Sequence, residues 1–249
     1  MQSNEAQGKR LNKFIADSGY CSRREADRLI QEGRVTIDGR VGALGDRVLP
    51  GMHVVCDGHE LSGRGGRVYI MLNKPRGIVC TADPREPMNV VDYVGYPIRI
   101  FPVGRLDKDS EGLLLMTDDG AFINLLTHPS GGVGKLYRVT VHPRATEEQV
   151  IQMSSGVVLD DGVRTQPCVI HVVTDEPERT VMEITLYEGR NRQIRRMCAA
   201  VGLEVVRLKR SAEGPVKLGM LQPGEWRELK RSEVNALRNA AQQKKKQKV

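Results

Sequence analysis

Residues 101–117 read FPVGRLDKDSEGLLLMT, a short turn-rich piece holding Asp107, Asp109 and Glu111 close to Arg105, followed by an unbroken apolar run. The buried-strand pattern that opens this part of the chain lies earlier, in VYIMLNKPRG, broken by Pro75. Arg105 and Asp107 are two positions apart, so in extended chain their side chains project to one side, and an opposite charge at that range favours the ionised carboxylate. Four readings are open for the carboxylates: a metal pair, a glycosidase-like acid and base, an exposed ion pair in a solvated turn, or one catalytic aspartate. A divalent site needs four or more oxygen ligands, and no second carboxylate cluster accompanies Asp107 and Asp109 in the sequence. Glycosidase chemistry asks for one carboxyl in an apolar pocket, whereas Asp109 and Glu111 lie in a polar turn. Asp118-Asp119-Gly120 reads as an ordinary surface turn after the apolar run.

The chain has 249 residues with 39% hydrophobic side chains, enough for a packed core, and no run of about 18 apolar residues that would span a bilayer. MQSNEAQGKR has no apolar stretch after its charges, so no secretory signal is expected. Five scattered cysteines without a CxxC pair fit reduced cytoplasmic thiols, and the histidines show no metal-ligand spacing. Lys and Arg number 38 against 31 Asp and Glu, a net charge of +7 that suits a nucleic-acid partner. A surplus of this size also occurs without one, so the placement of the charges has to decide.

Residues 9–57 form one expected module. Leu11, Phe14 and Ile15 recur at helical spacing, Ser22-Arg-Arg-Glu25 has capping-box form, and Ala26, Leu29 and Ile30 make the apolar face of a second helix ending at Gly33. VTIDGRV then signals a hairpin around Asp38-Gly39. This second helix carries Arg23, Arg24 and Arg28 away from its apolar side. The stretch RLNKFIADSGYCSRREADRLIQEGRVTIDGR (10–40) resembles the S4 RNA-binding domain, two helices and a hairpin that present arginines to RNA phosphates. Residues 58–67, with four glycines, read as a flexible linker.

From VYIMLNKPRG onward, strand-like runs (IRIFPV, LYRVTV, VMEITLY, EVVRLKR) outnumber helical ones (TEEQVIQMSSG, NRQIRRMCAAVG), which predicts α+β architecture on a largely antiparallel sheet over residues 68–235. From Ser232 the chain is expected to begin helical, and residues 236–249 form a basic tail that ends in QQKKKQKV, a run expected to be disordered. In KLYRV, Tyr137 shares a strand face with Val139 and Val141; core packing and stacking on an unpaired base are both open to it. YEGRNRQIRRMCAAVG predicts a helix capped by Asn191, with Ile194, Met197 and Cys198 buried and Arg192, Arg195 and Arg196 opposite. Arginines so dense, with Arg190 ahead of them, suit phosphate or a buried carboxylate.

GRLDKDSEGLLLMT, KLYRV, GRNRQIRRM and MLNKPRGIVC together resemble the motifs of the RsuA/RluB/RluE/RluF family of pseudouridine synthases, over roughly residues 10–235. Their wording, with GEWREL, is most similar to the RluF branch and next to RluB. The resemblance implies a small N-terminal S4 (α-L type) domain before a mainly antiparallel synthase domain, and isomerisation of a uridine in ribosomal RNA, large-subunit 23S above all. It implies Asp107 as the catalytic aspartate, Tyr137 as the stacking tyrosine and Arg195 as a basic partner, with Arg105 expected to help hold Asp107 ionised. Arg10, Arg23, Arg24, Arg28, Lys74, Arg190, Arg192 and Arg196 are the expected RNA contacts. No metal and no cofactor is implied; a tRNA is a further candidate substrate, and a cytoplasmic monomer with no membrane partner is the default. Two alternatives stand beside it: a non-catalytic S4-type RNA-binding or ribosome-assembly factor, and a metal-dependent nuclease using Asp107 and Asp109.

Overall fold

The computed structural model describes residues 8–62, 66–128 and 133–246, with residues 244–246 by backbone alone. The centre of the expected linker (63–65), part of the glycine-rich loop before Tyr137 (129–132) and the end of the basic tail (247–249) lie outside the described residues. The chain divides into two compact units, Met1–Arg67 and Val68–Val249.

The first unit runs β1 (Lys9–Arg10), α1 (Leu11–Asp17), α2 (Arg23–Gln31), β2 (Val35–Ile37), β3 (Arg40–Val41), β4 (Arg47–Val48), β5 (Val54–Cys56) and β6 (His59–Leu61). Ser22 caps α2 by accepting from the Glu25 amide at 3.1 Å, and Gly33 ends it at φ +71°. Ala26, Leu29 and Ile30 pack with Leu11, Ile15, Val35 and Ile37 into a separate core. Asp38 and Gly39 both take positive φ (48° and 80°), the geometry of a two-residue hairpin turn matched to strand twist. Asp57-Gly58 repeats it (49° and 78°) and turns β5 into β6. Residues 59–61 are therefore not linker: they pair with β5 and Leu61 enters the core.

The second unit continues with β7 (Tyr69–Lys74), α3 (Val90–Val94), β8 (Phe101–Pro102), β9 (Glu111–Thr117), α4 (Gly120–Thr127), β10 (Lys135–His142), α5 (Glu147–Ser154), β11 (Val169–Asp175) and β12 (Thr180–Leu186). It ends with α6 (Gln193–Ala200), β13 (Glu204–Glu213), β14 (Val216–Lys217), β15 (Trp226–Glu228) and α7 (Arg231–Lys246). Among the described residues one sheet has the order β11-β12-β10-β13-β9-β7-β15, with β8 on β9 and β14 on β13. Its pairings are antiparallel apart from β13 with β9, so the largely antiparallel expectation holds, with a parallel seam at the middle.

The apolar run in β9 is continuous because both faces of that strand are covered. Leu113 and Leu115 pack with Met71 toward α4 and α7, while Leu114 and Met116 pack with Ile70 and Leu72 on the other face. In β12 burial alternates, Met182, Ile184 and Leu186 lying in a third core with Met153 of α5 and Met197 of α6. Tyr137 packs against this core and against that of Leu114, so its ring sits where the two meet.

Two expectations are overturned at the C-terminal end and at Asp119. Residues 236–246 continue α7, whose Leu237 and Ala241 are fully buried beside Phe122 and Leu126. The helix expected to start at Ser232 thus runs on into the lysine-rich end as far as Lys246, because the apolar spacing from Val234 to Ala241 is helical and holds the segment down. Asp119 is buried rather than a surface turn. It caps α4 through the Ala121 and Phe122 amides at 3.0 and 3.1 Å, and it accepts from Tyr69 Oη at 2.7 Å and Arg238 Nη2 at 3.0 Å. Burial opposes its charge, but the Tyr69 hydroxyl, the Phe122 amide and Arg238 together hold the carboxyl below the usual aspartate range.

Asp119→Ala is expected to destabilise the protein by about 2 kcal/mol in denaturant titrations at neutral pH. Because the folded pKa is depressed, the advantage of wild type over Asp119→Asn is full above the ordinary aspartate value of 3.8 and disappears as pH falls through the folded value. An advantage that persists unchanged in stronger acid would show that the charge is not what stabilises.

Candidate active site

Residues 104–110 are loop rather than strand, joining β8 to β9. Three attachments fix the loop. The Leu106 amide donates to Cys80 Sγ at 3.3 Å, the Gly77 amide donates to the Lys108 carbonyl at 2.9 Å, and the Ser110 amide turns back to the Asp107 carbonyl at 3.1 Å. Beneath it lies Lys74, fully buried, whose Nζ donates to the carbonyls of Pro75 and Ser110 at 2.9 Å each and approaches that of Lys108 at 3.5 Å. Burial pulls the Lys74 pKa down, opposed by the nearby carboxylates of Asp107, Asp109 and Glu111. Lys74 is thus a peg under the aspartate loop and not a phosphate contact: its ammonium is spent on the carbonyls of that loop.

Asp107, half-buried, faces a pocket lined among others by Arg105, Tyr137, Glu188, Arg190 and Arg192, with Leu106, Leu186, Ile194 and Leu208 forming apolar wall. Its ion-pair partner is Arg192, Nη1 to Oδ2 at 3.8 Å, and the same nitrogen lies 4.0 Å from Asp109. This corrects the assignment of Arg105 and Arg195. The alternation of side chains that would align Arg105 with Asp107 applies to strands, and in this loop no ion pair joins them. Arg195 sits a turn further along α6, donating to the Val205 carbonyl at 3.1 Å and the Asp109 carbonyl at 3.5 Å. Burial lowers the Arg195 pKa, with Arg192 adding to that and Asp107 opposing it. Asp107 and Asp109 therefore converge on a guanidinium, where a divalent cation would be repelled, which weighs against the nuclease alternative. Among the described residues no group of three His, Cys, Asp or Glu side chains converges as metal ligands would.

The arginines of GRNRQIRRM have separate tasks. Arg192 itself is the N-terminal boundary of α6, in left-handed conformation at φ 48°, so Asn191 is not the cap. Gln193, the first residue of α6, ties the preceding loop to the helix, accepting from the Arg190 amide at 3.0 Å while its Nε2 donates to Glu188 at 2.6 Å. Arg190 also reaches Glu188, at 3.2 Å. Arg196 is held by Asp160 and by Asp161, at 2.8 Å in the latter case, and so is turned from the pocket. Glu188, Gln193 and Ser110 were not singled out from sequence. Gln193 and Glu188 lie inside the quoted YEGRNRQIRRM run, but the contacts that matter are set by tertiary structure.

Tyr137 lines the pocket, and burial pushes its phenol pKa up, against the lowering influence of Arg210 behind it. Arg210 is 1% exposed, donates Nε to the Leu113 carbonyl at 2.6 Å and lies 3.7 Å from buried Glu213. Burial disfavours its charge, yet Glu213 and then Tyr137 outweigh that and raise its pKa. Cys198, on the buried face of α6, has its thiol pushed up to about 12 by burial, which leaves it inert. In the first unit Arg10, Arg23 and Arg24 are exposed and without ion pairs among the described residues, whereas Arg28 is bound by Glu25 and Glu32 at 2.5 and 2.7 Å.

An aspartate held by arginine, opposite a tyrosine at the meeting of two cores and preceded by a small basic domain, defines an RNA-modifying enzyme of the pseudouridine synthase class. The chain belongs to the RNA pseudouridylate synthase family, whose model matches residues 68–200, and carries an S4 domain at residues 9–54. It is 44% identical over 227 residues to the dual-specificity RNA pseudouridine synthase RluF of Escherichia coli K12, covering 90% of this chain and 77% of that one. It is 39% identical over 237 residues to the ribosomal large subunit pseudouridine synthase B of Bacillus subtilis, covering 93% and 96%. A solved structure described as a crystal structure of pseudouridylate synthase superposes with TM-score 0.66 at 31% identity, over 92% of this chain and 99% of the other. The two-domain α+β expectation and the family resemblance both hold.

Lys74→Met should reduce turnover by about 10²-fold by loosening the Asp107 loop, with RNA affinity unchanged in filter binding. Weaker binding at unchanged turnover would return the ammonium to a phosphate-contacting role.

Proposed function

We propose that the protein isomerises a uridine of large-subunit ribosomal RNA to pseudouridine. The observation that carries this reading is Asp107 in its pocket, 3.8 Å from Arg192 and across from Tyr137. The target nucleotide leaves its stack to reach a carboxylate at such depth. Tyr137 then offers the base a stacking surface and a hydroxyl, and Asp107 starts the reaction at the sugar or by deprotonation. The N-glycosidic bond breaks, uracil turns, and C5 joins C1′ with loss of the C5 proton.

Arg10, Arg23 and Arg24, exposed and unpaired among the described residues, are the S4 contacts to phosphate, and Arg190 and Arg105 extend that contact at the pocket rim. The same reading puts the protein in the cytoplasm as a monomer; among the described residues no helix is long and apolar enough to cross a membrane. A tRNA is a second substrate to test, in keeping with the words dual-specificity in the name of the 44% identical relative.

Asp107→Asn should abolish tritium release from ribosomal RNA labelled at uridine C5 while RNA binding stays within a few-fold. Retained turnover would remove Asp107 from the mechanism. Pseudouridine mapping of 23S RNA from cells lacking the protein should show one or a few uridines unmodified, and an unchanged map would refute the substrate.

Arg23→Ala with Arg24→Ala should weaken RNA binding and flatten its dependence on salt by roughly two units of slope, about one per phosphate contact. Arg28→Ala, already neutralised by Glu25 and Glu32, should change binding much less; equal effects would mean that the pairing does not sort these arginines.

A further inference from the structure

Two hydroxyls line the pocket, Tyr137 and Ser110, and the chemistry above uses the first. Ser110 is 1% exposed, and its Oγ has no hydrogen-bond partner. Both backbone groups of the residue are engaged: the amide donates to the Asp107 carbonyl at 3.1 Å and the carbonyl accepts from Lys74 Nζ at 2.9 Å. Its place is therefore fixed from two sides, while its side chain satisfies nothing within the protein. An interior hydroxyl left unpaired destabilises a fold, and alanine would occupy the same space without that penalty. An unsatisfied polar group at a concave site calls for a partner from outside the chain.

We infer that Ser110 Oγ contacts the substrate, forming a hydrogen bond with the ribose 2′-hydroxyl of the target nucleotide. The inference rests on the reading of the pocket as a uridine-isomerising site. The turn that closes Ser110 onto Asp107 keeps the hydroxyl on the same loop as the carboxylate. That carboxylate must reach the sugar side of the glycosidic bond, whereas Tyr137 takes the base. A serine hydroxyl both donates and accepts, as does a 2′-hydroxyl, so either polarity of the bond can form. The 2′-hydroxyl is also the group by which a protein distinguishes RNA from DNA. Ser110 thus makes the pocket selective for a ribonucleotide at the extruded position.

The test uses the full chain as wild type, Ser110→Ala and Ser110→Thr. The probe is a synthetic RNA stem-loop spanning the uridine identified by mapping, made with uridine or with 2′-deoxyuridine at that one position. Ser110→Ala should lower kcat/KM on the ribonucleotide by roughly tenfold, the scale of one neutral hydrogen bond, and Ser110→Thr should restore most of it. The 2′-deoxy substitution should be costly to wild type and nearly silent in Ser110→Ala, and the melting temperature of Ser110→Ala should equal or exceed that of wild type. Losses that multiply when the two changes are combined overturn the proposal, as does a Ser110→Ala enzyme that matches wild type or loses stability along with activity. Wild type that forms no pseudouridine in any ribosomal RNA overturns the reading of the site, and this inference with it; an active wild type with multiplying losses overturns the inference alone.

Discussion

Gly112 lies against Arg210 at the parallel seam of the sheet, so close that a Cβ there would fall 2.3 Å from the Arg210 carbonyl oxygen and 2.8 Å from its amide nitrogen. Its φ of +107° is a conformation that side-chain-bearing residues rarely adopt. No other residue permits this contact, and the contact joins the β7–β9 half of the sheet to the β10–β13 half. Every feature of the pocket follows from that junction. Asp107 enters from the loop just before Gly112, Tyr137 from β10 and Arg192 from the start of α6, which packs over the second half. Arg210, whose backbone meets Gly112, sends its guanidinium under β9 to the Leu113 carbonyl and places it behind Tyr137.

Much of this was legible in the residues, and the failures have a common physical origin. Local signals succeeded: Ser22 as a cap, Asp38-Gly39 as a turn, the apolar run VYIML as the buried strand β7. The same Asp-Gly signal at 57–58 was readable too, but glycine density downstream masked it and the segment was taken for linker. Charge-based readings failed where burial decides. Lys74 has the composition of a phosphate contact and the environment of a core residue; Asp119 looks like a turn and acts as a cap for α4 and an anchor for α7. The helical start at Ser232 is legible, but the lysine run that follows reads as disordered although the buried Leu237 and Ala241 carry the helix on to Lys246. In each case the outcome depends on residues distant in sequence: Ser110 for Lys74, Arg238 and Tyr69 for Asp119, Phe122 and Leu126 for Leu237.

Net charge is equally uninformative until the ion pairs are drawn. Arg28, Arg34, Arg144, Arg196, Arg207 and Arg227 are each committed to carboxylates of the same unit. Exposed pairs of this kind add little stability, but they decide which guanidinium groups remain for RNA. Among the described residues Arg10, Arg23 and Arg24 in one unit, and Arg99, Arg105, Arg138, Arg164 and Arg231 in the other, are exposed and left without ion pairs.

The lengths of these pairs separate structure from chemistry. Arg34 with Asp57, Arg144 with Asp175 and Arg227 with Glu233 are two-point pairings at 2.6–2.8 Å, in which both carboxylate oxygens are occupied. Arg192 meets Asp107 at 3.8 Å through one nitrogen. A tight fork would occupy both carboxylate oxygens; a loose contact leaves oxygen lone pairs free, as the proposed reaction requires of Asp107. The apolar wall of Leu106, Leu186, Ile194 and Leu208 then sharpens the effect. When a nucleotide enters and displaces water, the local dielectric falls and the same separation gives a stronger attraction. The electrostatic support of Asp107 is thereby greatest when substrate fills the pocket.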